Sequence, residues 1–210
     1  SRETVWAQRN SCVSWRFTLG WRCACSGVVM TLWLVRHAQP LVEAGVCYGA
    51  TNVAAEAHAT TLAAQALANA LPPCLTVWAS PLQRCERLAQ AVLGLRPDLT
   101  YKVDARLQEM DFGVWEGHRW DSIPRAAYDA WTADFGGHRF GGQESVDEFM
   151  ARVALAWDAF QRHRQDTVWI THAGVIRAVS LLAQGVRHID TAAQWPTHAP
   201  GFGEWVVVTI

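Results

Sequence analysis

The stretch Leu32-Trp33-Leu34-Val35-Arg36-His37 decides the fold. Its four apolar residues are too few for a helix and fit a short buried strand, which ends abruptly at Arg36 and His37. The pattern returns at residues 168–174, where Val-Trp-Ile is followed by Thr-His-Ala-Gly, and this places His172 after a second strand. Ligands of open α/β sheets bind at the carboxyl ends of the strands. We therefore expect both histidines and Arg36 to face one crevice.

The rest of the chain alternates strand and helix patterns. Short apolar runs predict strands at residues 32–35, 75–79, 100–103, 167–171 and 205–210. Strong helix formers or an apolar period of 3.6 residues predict helices at 58–71, 81–93 with Ser80 as cap, 122–132, 144–163 and 175–184. This alternation is typical of parallel βαβ units. It predicts an α/β fold, a three-layer α/β/α sandwich with a mostly parallel sheet.

Size and charge limit the classes of protein that the chain can belong to. Its 210 residues are half hydrophobic and carry a net charge of −1, which suits one well-buried domain. The charge favours neither a nucleic-acid nor a membrane partner, and no apolar run approaches the roughly 18 residues of a membrane helix. The six cysteines have no regular spacing, so we expect free thiols in a reducing cytoplasm, although an even number could also form disulfides. The oligomeric state stays open.

The first 29 residues differ in composition from the rest of the chain. They contain four arginines, four serines and a single acid, Glu3, and show no helical or strand period. Three interpretations stay open: a start placed upstream of a true initiator Met30, a processed targeting segment, or a disordered tail with a binding role. In each case we expect residues 1–29 to be an extension outside the fold, and residues 30–210 to form the domain.

Four successive predicted strands are each followed by a charged or titratable group. Arg36 and His37 follow the first, Arg84 lies in the helix after the second, Glu109 in the loop after the third, and His172 follows the fourth. Arginine forks suit phosphate oxygens, a neutral imidazole can attack phosphorus, and a carboxylic acid can protonate a leaving alkoxide. Together these groups predict phosphoryl transfer, in which positioning and electrostatics dominate.

Three details of this predicted site follow from general chemistry. The like charge of the arginines should keep His37 neutral, while His172 is expected as an imidazolium that hydrogen-bonds the transferring group. Asp111 or Glu116 could take the part of Glu109. The chain has no H-E-x-x-H motif, no paired C-x-x-C motifs, no P-loop and no G-x-G-x-x-G motif after a strand, so we expect neither a metal nor a cofactor.

Five segments resemble, in the correct order, the signatures of the histidine phosphatase superfamily, which has the phosphoglycerate mutase-like fold. They are residues 34–37 (L-V-R-H), 80–85 (S-P-L-Q-R-C), 109–117 (E-M-D-F-G-V-W-E-G), 142–145 (G-Q-E-S) and 171–174 (T-H-A-G). The chain departs from the usual pattern at Ala38 and Gln143, where the family commonly has glycine.

The resemblance implies a role for each matching residue. His37 would be the phosphorylated nucleophile, Arg36, Arg84 and His172 would form the phosphate pocket, and Glu109 would donate the proton. Substrate would be bound by Gln39, Tyr48, Gly49 and Ala173. The implied activity is that of a metal-independent phosphomonoesterase acting on a small molecule.

A narrower resemblance concerns the substrate. Residues 45–53 (G-V-C-Y-G-A-T-N-V) are similar to an element of α-ribazole phosphatases, with Asn52 where Asp is usual, and residues 121–125 followed by Trp131 also fit that group. The implied substrate is α-ribazole 5′-phosphate, an intermediate of late cobalamin assembly. The alternatives are a phosphoglycerate mutase, a broad-specificity or phosphohistidine-protein phosphatase, and a phosphate-binding module without catalysis.

Overall fold

A six-stranded sheet forms the centre of the protein. The computed structural model describes residues 12–16 and 29–210. The strands are β1 (Cys12–Arg16), β2 (Thr31–Arg36), β3 (Thr76–Ala79), β4 (Thr100–Val103), β5 (Thr167–Thr171) and β6 (Trp205–Thr209), in the order β1-β6-β2-β5-β3-β4. Strands β2, β5, β3 and β4 are parallel, whereas β6 runs antiparallel to β2 and parallel to β1. The predicted mostly parallel sheet is confirmed.

Helices cover both faces of this sheet. They are α1 (Ala57–Ala70), α2 (Gln83–Leu95), α3 (Arg125–Ala133), α4 (Val146–His163) and α5 (Ala173–Leu182). Successive strand residues point to opposite faces, so Trp169 packs in the core formed with α4 and α5, while Val168 and Ile170 pack against α1 and α2. Two apolar cores around one sheet make the predicted three-layer sandwich. In the described ranges, no helix combines the length and apolarity needed to cross a membrane.

Helix α4 matches its prediction most closely. Its apolar residues at helical spacing are all buried: Val146, Phe149, Met150, Val153, Trp157 and Phe160. A capping box starts the helix, since the Ser145 side chain accepts from the Glu148 N–H and the Glu148 side chain accepts from the Ser145 N–H. This rigid helix supports the loops that lie next to it.

All five helices begin one to three residues away from the prediction, and for two of them the hydrogen bonds show a local cause. Helix α2 begins at Gln83 rather than Pro81: Ser80 Oγ accepts the Leu82 N–H at 3.3 Å but also contacts His172, and Asn52 Oδ1 accepts the N–H of Gln83, the first helical residue, at 2.8 Å. Helix α3 begins at Arg125 rather than Ser122, because the Ser122 hydroxyl donates to a carbonyl in its own turn. In both places a serine that suits a helix cap makes a different hydrogen bond.

The N-terminal segment contributes the strand β1, which the sequence did not predict. Its backbone pairs with β6 from Cys12 opposite Trp205 to Arg16 opposite Thr209, so these five residues lie within the sheet rather than outside the fold. The free edge of β6 offers the unpaired backbone groups that make such pairing possible. The remaining part of the proposed extension, residues 1–11 and 17–28, lies outside the described residues, and the interpretations of it stay predictions.

Candidate active site

The carboxyl end of β2 places His37 between two neighbouring strands. Its N–H donates to the Thr171 carbonyl at 3.0 Å, and its own carbonyl accepts from the Gly203 N–H at 3.0 Å. The ring Nδ1 lies 2.7 Å from the Ala38 carbonyl, which can only accept. Nδ1 therefore carries the proton, and Nε2 keeps the lone pair that a nucleophile needs.

The His37 imidazole is neutral at ordinary pH. Burial lowers its pKa from 6.5 to about 3, and the positive charges of Arg84 and Arg36 act in the same direction. The arginines lower the pKa of His37 as predicted, but the loss of hydration on burial lowers it more. Because the side chain is only 2% exposed, this neutral state is a property of the folded protein.

The second histidine, His172, lies at the end of β5, and its ring centre is 5.2 Å from that of His37. Its Nδ1 accepts from Arg84 Nε at 3.3 Å, and its Nε2 lies 2.9 Å from Ser80 Oγ. Because arginine can only donate, the neutral ring carries its proton on Nε2. Burial, with the charge of Arg84, lowers the pKa of His172 well below 6.5. The expected imidazolium is therefore wrong for this structure.

Arg84 is fully buried and connects the histidine to the loop after β2. One terminal nitrogen donates to the Thr51 carbonyl and the other to the Gly49 carbonyl, both at 2.7 Å. With the Nε bond to His172, three of its five N–H groups are used. Among the described residues no partner is found for one N–H on each terminal nitrogen, and these two groups suit an anion.

Arg36 is the last residue of β2 and directly precedes His37. Its guanidinium stacks on the Phe202 ring at 3.8 Å and donates to the Pro200 carbonyl at 3.0 Å. Its Nε is buried and has no hydrogen-bond partner within the described part of the chain. A buried N–H without a partner is rare in proteins, and an anionic oxygen is the acceptor that suits it best.

Glu109 reaches the start of α5. Its Oε2 accepts from the Gly174 N–H at 3.0 Å, one residue after Ala173, and a Cβ on Gly174 would lie 2.2 Å from Oε1. The carboxyl group therefore lies close to the helix that follows His172. The Glu109 side chain also lines a cleft of about 370 Å³.

The two alternative acids are engaged in backbone contacts. Asp111 lines the same cleft, but its Oδ1 accepts from the Gly113 N–H at 2.8 Å. Glu116 accepts from the N–H groups of Ala50 and Thr51, and also from the Thr51 hydroxyl. Glu116 thus holds the loop after β2, whereas Glu109 and Asp111 both line the cleft, and Glu109 too accepts from backbone N–H groups, those of Met110 and Gly174.

The four residues predicted to bind substrate occupy different environments. Gln39 is exposed two residues after His37, whereas Ala173 is buried at the first position of α5. Tyr48 is half-buried with its ring 5.4 Å from the Arg84 guanidinium, and burial raises its pKa. Gly49 has room for no side chain, because a Cβ would lie 1.9 Å from the Met110 carbonyl. Tyr48 and Gly49 thus contact Arg84 directly.

Three residues of the site were not predicted as such. Ser80 was interpreted as a helix cap but binds His172, and Phe202 lies in a loop without any sequence pattern. Glu116 was interpreted only as an alternative acid. Within the described ranges, no group of three or more His, Cys, Asp or Glu side chains could hold a metal ion. Of the cysteines whose side chains are described, Cys47 and Cys85 are buried and free, and Cys74 is exposed and free.

Comparison with known proteins defines the class. Residues 32–199 match the family model described as "Histidine phosphatase superfamily (branch 1)", and the chain belongs to that superfamily. It is accordingly a hydrolase of the phosphatase type. A relative from Hydrogenobacter thermophilus, named "Putative phosphoserine phosphatase 2", is 29% identical over 136 residues, which are 60% of this chain and 66% of the relative. The chain thus matches slightly less than two thirds of that protein's length.

Solved structures agree with this assignment. TTHB049 from Thermus thermophilus is 31% identical, with a TM-score of 0.64 over 85% of this chain and 93% of that one. A mycobacterial glucosyl-3-phosphoglycerate phosphatase has a TM-score of 0.68 at 23% identity, over 85% of this chain and 89% of the other. "Mycobacterial hydrolase 2" has a TM-score of 0.71 at 23% identity, over 86% and 82%. The last two likenesses show the fold.

Gly49 gives a first prediction. We expect Gly49→Ala to lose most activity and about 1–3 kcal/mol of stability or more, because the methyl group collides with the Met110 backbone and displaces the carbonyl that binds Arg84. Gly94→Ala in α2 is the matched control. A Cβ there meets nothing within 4 Å, so this variant should keep its activity and gain up to about 1 kcal/mol. Thermal unfolding and phosphatase assays of both variants test this prediction.

The low pKa of His37 gives a second prediction. Between pH 6.5 and about 3 the unfolded chain binds a proton at His37 that the folded protein does not, so stability falls as the pH falls through this range. His37→Asn removes this effect, and its free energy of unfolding should decrease less steeply from pH 7 to 4 in urea titrations. His188 is the control of opposite sign, because Asp147 and Asp190 raise its pKa. His188→Asn should lose stability on the acid side of neutrality, and equal slopes in all three proteins would contradict the prediction.

Proposed function

We propose that this phosphatase hydrolyses phosphomonoesters without a metal ion, through a phosphohistidine on His37, and that α-ribazole 5′-phosphate is its substrate. The observation that carries the proposal is the neutral His37 ring, with Nδ1 bound to the Ala38 carbonyl and Nε2 left unprotonated close to the positive charges of Arg84 and Arg36. A nucleophile in this protonation state needs no activating base. The alternative of phosphate binding without catalysis gives no reason for such an arrangement.

The proposed reaction has two steps. His37 Nε2 attacks phosphorus, the P–O ester bond breaks, and the leaving alkoxide takes the proton of Glu109. Water then attacks the phosphohistidine and gives a proton to the Glu109 carboxylate, the N–P bond breaks, and inorganic phosphate leaves. Arg36 and Arg84 stabilise the charge on the transferring oxygens in both steps. His172 bears on the reaction by holding Arg84, since its Nδ1 accepts from Arg84 Nε.

The loop after β2 supports the choice of substrate. Within the segment that resembles α-ribazole phosphatases, Tyr48 lies beside Arg84, and the Gly49 and Thr51 carbonyls accept from it. Phe202 stacks on Arg36, and its ring centre lies 5.5 Å from that of His37. Aromatic side chains beside a phosphate pocket favour a substrate with a flat aromatic base, because such rings stack face to face or offset. α-Ribazole 5′-phosphate has a base of this kind.

Phosphoserine is the second candidate substrate, because the Hydrogenobacter thermophilus relative is named for it. Phosphoserine has an ammonium and a carboxylate in place of the aromatic base. The two substrates therefore need opposite surroundings beyond the phosphate. The small-molecule partner and the cytoplasmic location expected from the sequence remain part of the proposal.

The central experiment measures phosphate release in EDTA from α-ribazole 5′-phosphate, phosphoserine, 3-phosphoglycerate and p-nitrophenyl phosphate. We expect α-ribazole 5′-phosphate to have the highest kcat/KM, and His37→Ala to lower it by a factor on the order of 10⁴ or more. His58→Ala, an exposed histidine at the start of α1, is the control and should keep full activity. Full activity of His37→Ala would reject the mechanism. A preference for phosphoserine would keep the mechanism and change the substrate.

The acid is tested separately with two leaving groups. Glu109→Gln should slow the hydrolysis of an alkyl phosphate about 10²–10⁴-fold, because a poor leaving group needs the proton. It should slow p-nitrophenyl phosphate far less, since nitrophenolate leaves without protonation. Asp111→Asn serves as the comparison, because Asp111 lines the same cleft. Selective loss in Asp111→Asn instead of Glu109→Gln would move the role to Asp111.

A further inference from the structure

The loop that carries Glu109 is held by side chains from two neighbouring elements. Four consecutive carbonyls of this loop each accept a side-chain hydrogen bond: those of Arg106, Leu107, Gln108 and Glu109. Thr171, at the end of β5, donates to the second at 2.7 Å. Arg152, from α4, donates to the other three at 3.0, 2.9 and 3.4 Å. Arg152 thus binds the Gln108 and Glu109 carbonyls, which lie before and after the Glu109 side chain in the backbone.

Arg152 is itself fixed by a carboxylate. Its Nε and one terminal nitrogen donate to the two oxygens of Glu144, both at 2.9 Å, in a bidentate ion pair that is largely shielded from solvent. The same Glu144 also accepts from the Asp111 N–H at 3.1 Å. The ion pair therefore holds the loop through carbonyls up to Glu109 and through an N–H two residues later.

All five N–H groups of Arg152 are used by these contacts. Two go to Glu144 and three go to loop carbonyls. Arg152 also lines the cleft beside Glu109, where a cation could be expected to bind substrate. Since no donor is left, Arg152 has no hydrogen bond to give a substrate, and its hydrogen bonds act on the site through the loop that they hold.

We propose that Arg152, fixed by Glu144, is a positioning residue that holds Glu109 where it can protonate the leaving group. This inference rests on the proposed role of Glu109 as the acid. A displacement of about 1 Å in a catalytic group can cost on the order of 10²-fold in rate. Lysine cannot replace Arg152, because an ammonium has three donors and no planar fork for a carboxylate. The fold depends on it less, because α4 is anchored by its buried apolar residues.

The experiment compares kcat and KM for an alkyl phosphate and for p-nitrophenyl phosphate. We expect Arg152→Met and Arg152→Lys to lower kcat for the alkyl phosphate about 100-fold, with KM changed little and the p-nitrophenyl rate lowered less than about threefold. Arg187→Met is the matched control. Arg187 also pairs with an acid of α4, Asp158, but lies 55% exposed and away from the Glu109 loop, so its loss should leave both rates unchanged.

A double-mutant cycle separates positioning from general support of the fold. If Arg152 acts through Glu109, then Arg152→Met added to Glu109→Gln should cause no further change in the ratio of alkyl to aryl rates. Equal losses on both substrates, or a further drop in that ratio, would overturn the inference. Should Arg152→Met fail to fold by circular dichroism, Glu144→Gln is measured in the same way, and the absence of selectivity there overturns the inference too.

Different results overturn the acid role of Glu109 and the positioning role of Arg152. A Glu109→Gln protein without leaving-group selectivity overturns the acid role and this inference together. Selective loss in Glu109→Gln with unselective loss in Arg152→Met overturns the inference alone. Loss of all activity in His37→Ala combined with selectivity in both Glu109→Gln and Arg152→Met supports both.

Discussion

A buried cation without a carboxylate partner organises this site. Within the described residues Arg84 makes no ion pair, although its side chain is completely buried. Its donors instead meet two backbone carbonyls and an imidazole. Burial of an uncompensated charge is unfavourable, and a phosphate group would compensate it. The same charge adds to the effect of burial, which is the larger cause, in lowering the pKa of both histidines.

Two similar carboxylates near Arg84 differ in the contacts that they make. Glu109 and Glu116 belong to one short stretch of sequence, yet Glu116 accepts backbone N–H groups of the loop that supplies carbonyls to Arg84. Glu109 lies at the start of α5 beside an open cleft. Glu116 is thus needed for the shape of the anion pocket. Glu109, to which the proposed mechanism assigns proton transfer, lines the open cleft instead.

Much of this arrangement could be predicted from the sequence, because the signals are local. The end of an apolar run identifies the position of His37, and the alternation of strands and helices brings such ends to one edge of the sheet. The predicted helix 144–163 contains the whole of α4, which begins two residues later, because its apolar period spans many turns. These features depend on residues that are close together in the chain.

The features that could not be predicted depend on contacts between distant segments. Ser80 has the chemistry of a helix cap, but its hydroxyl meets His172, 92 residues later. The protonation state of His172 follows from its burial, which no local pattern reveals. The strand β1 depends on an open edge of β6, and Arg152 depends on the path of a loop that lies 43 residues earlier. Each of these outcomes is set by tertiary packing.

The contact of Gly203 with the nucleophile strand has a consequence for the biosynthesis of the enzyme. Its N–H binds the carbonyls of both Arg36 and His37, and Phe202 stacks on Arg36 directly before β6. His37 thus comes well before Gly203 in the chain, although the two are in contact in the fold. A ribosome therefore makes the histidine well before the residues that support it. A nascent chain therefore carries an incompletely supported histidine until the C-terminal strand has emerged and paired.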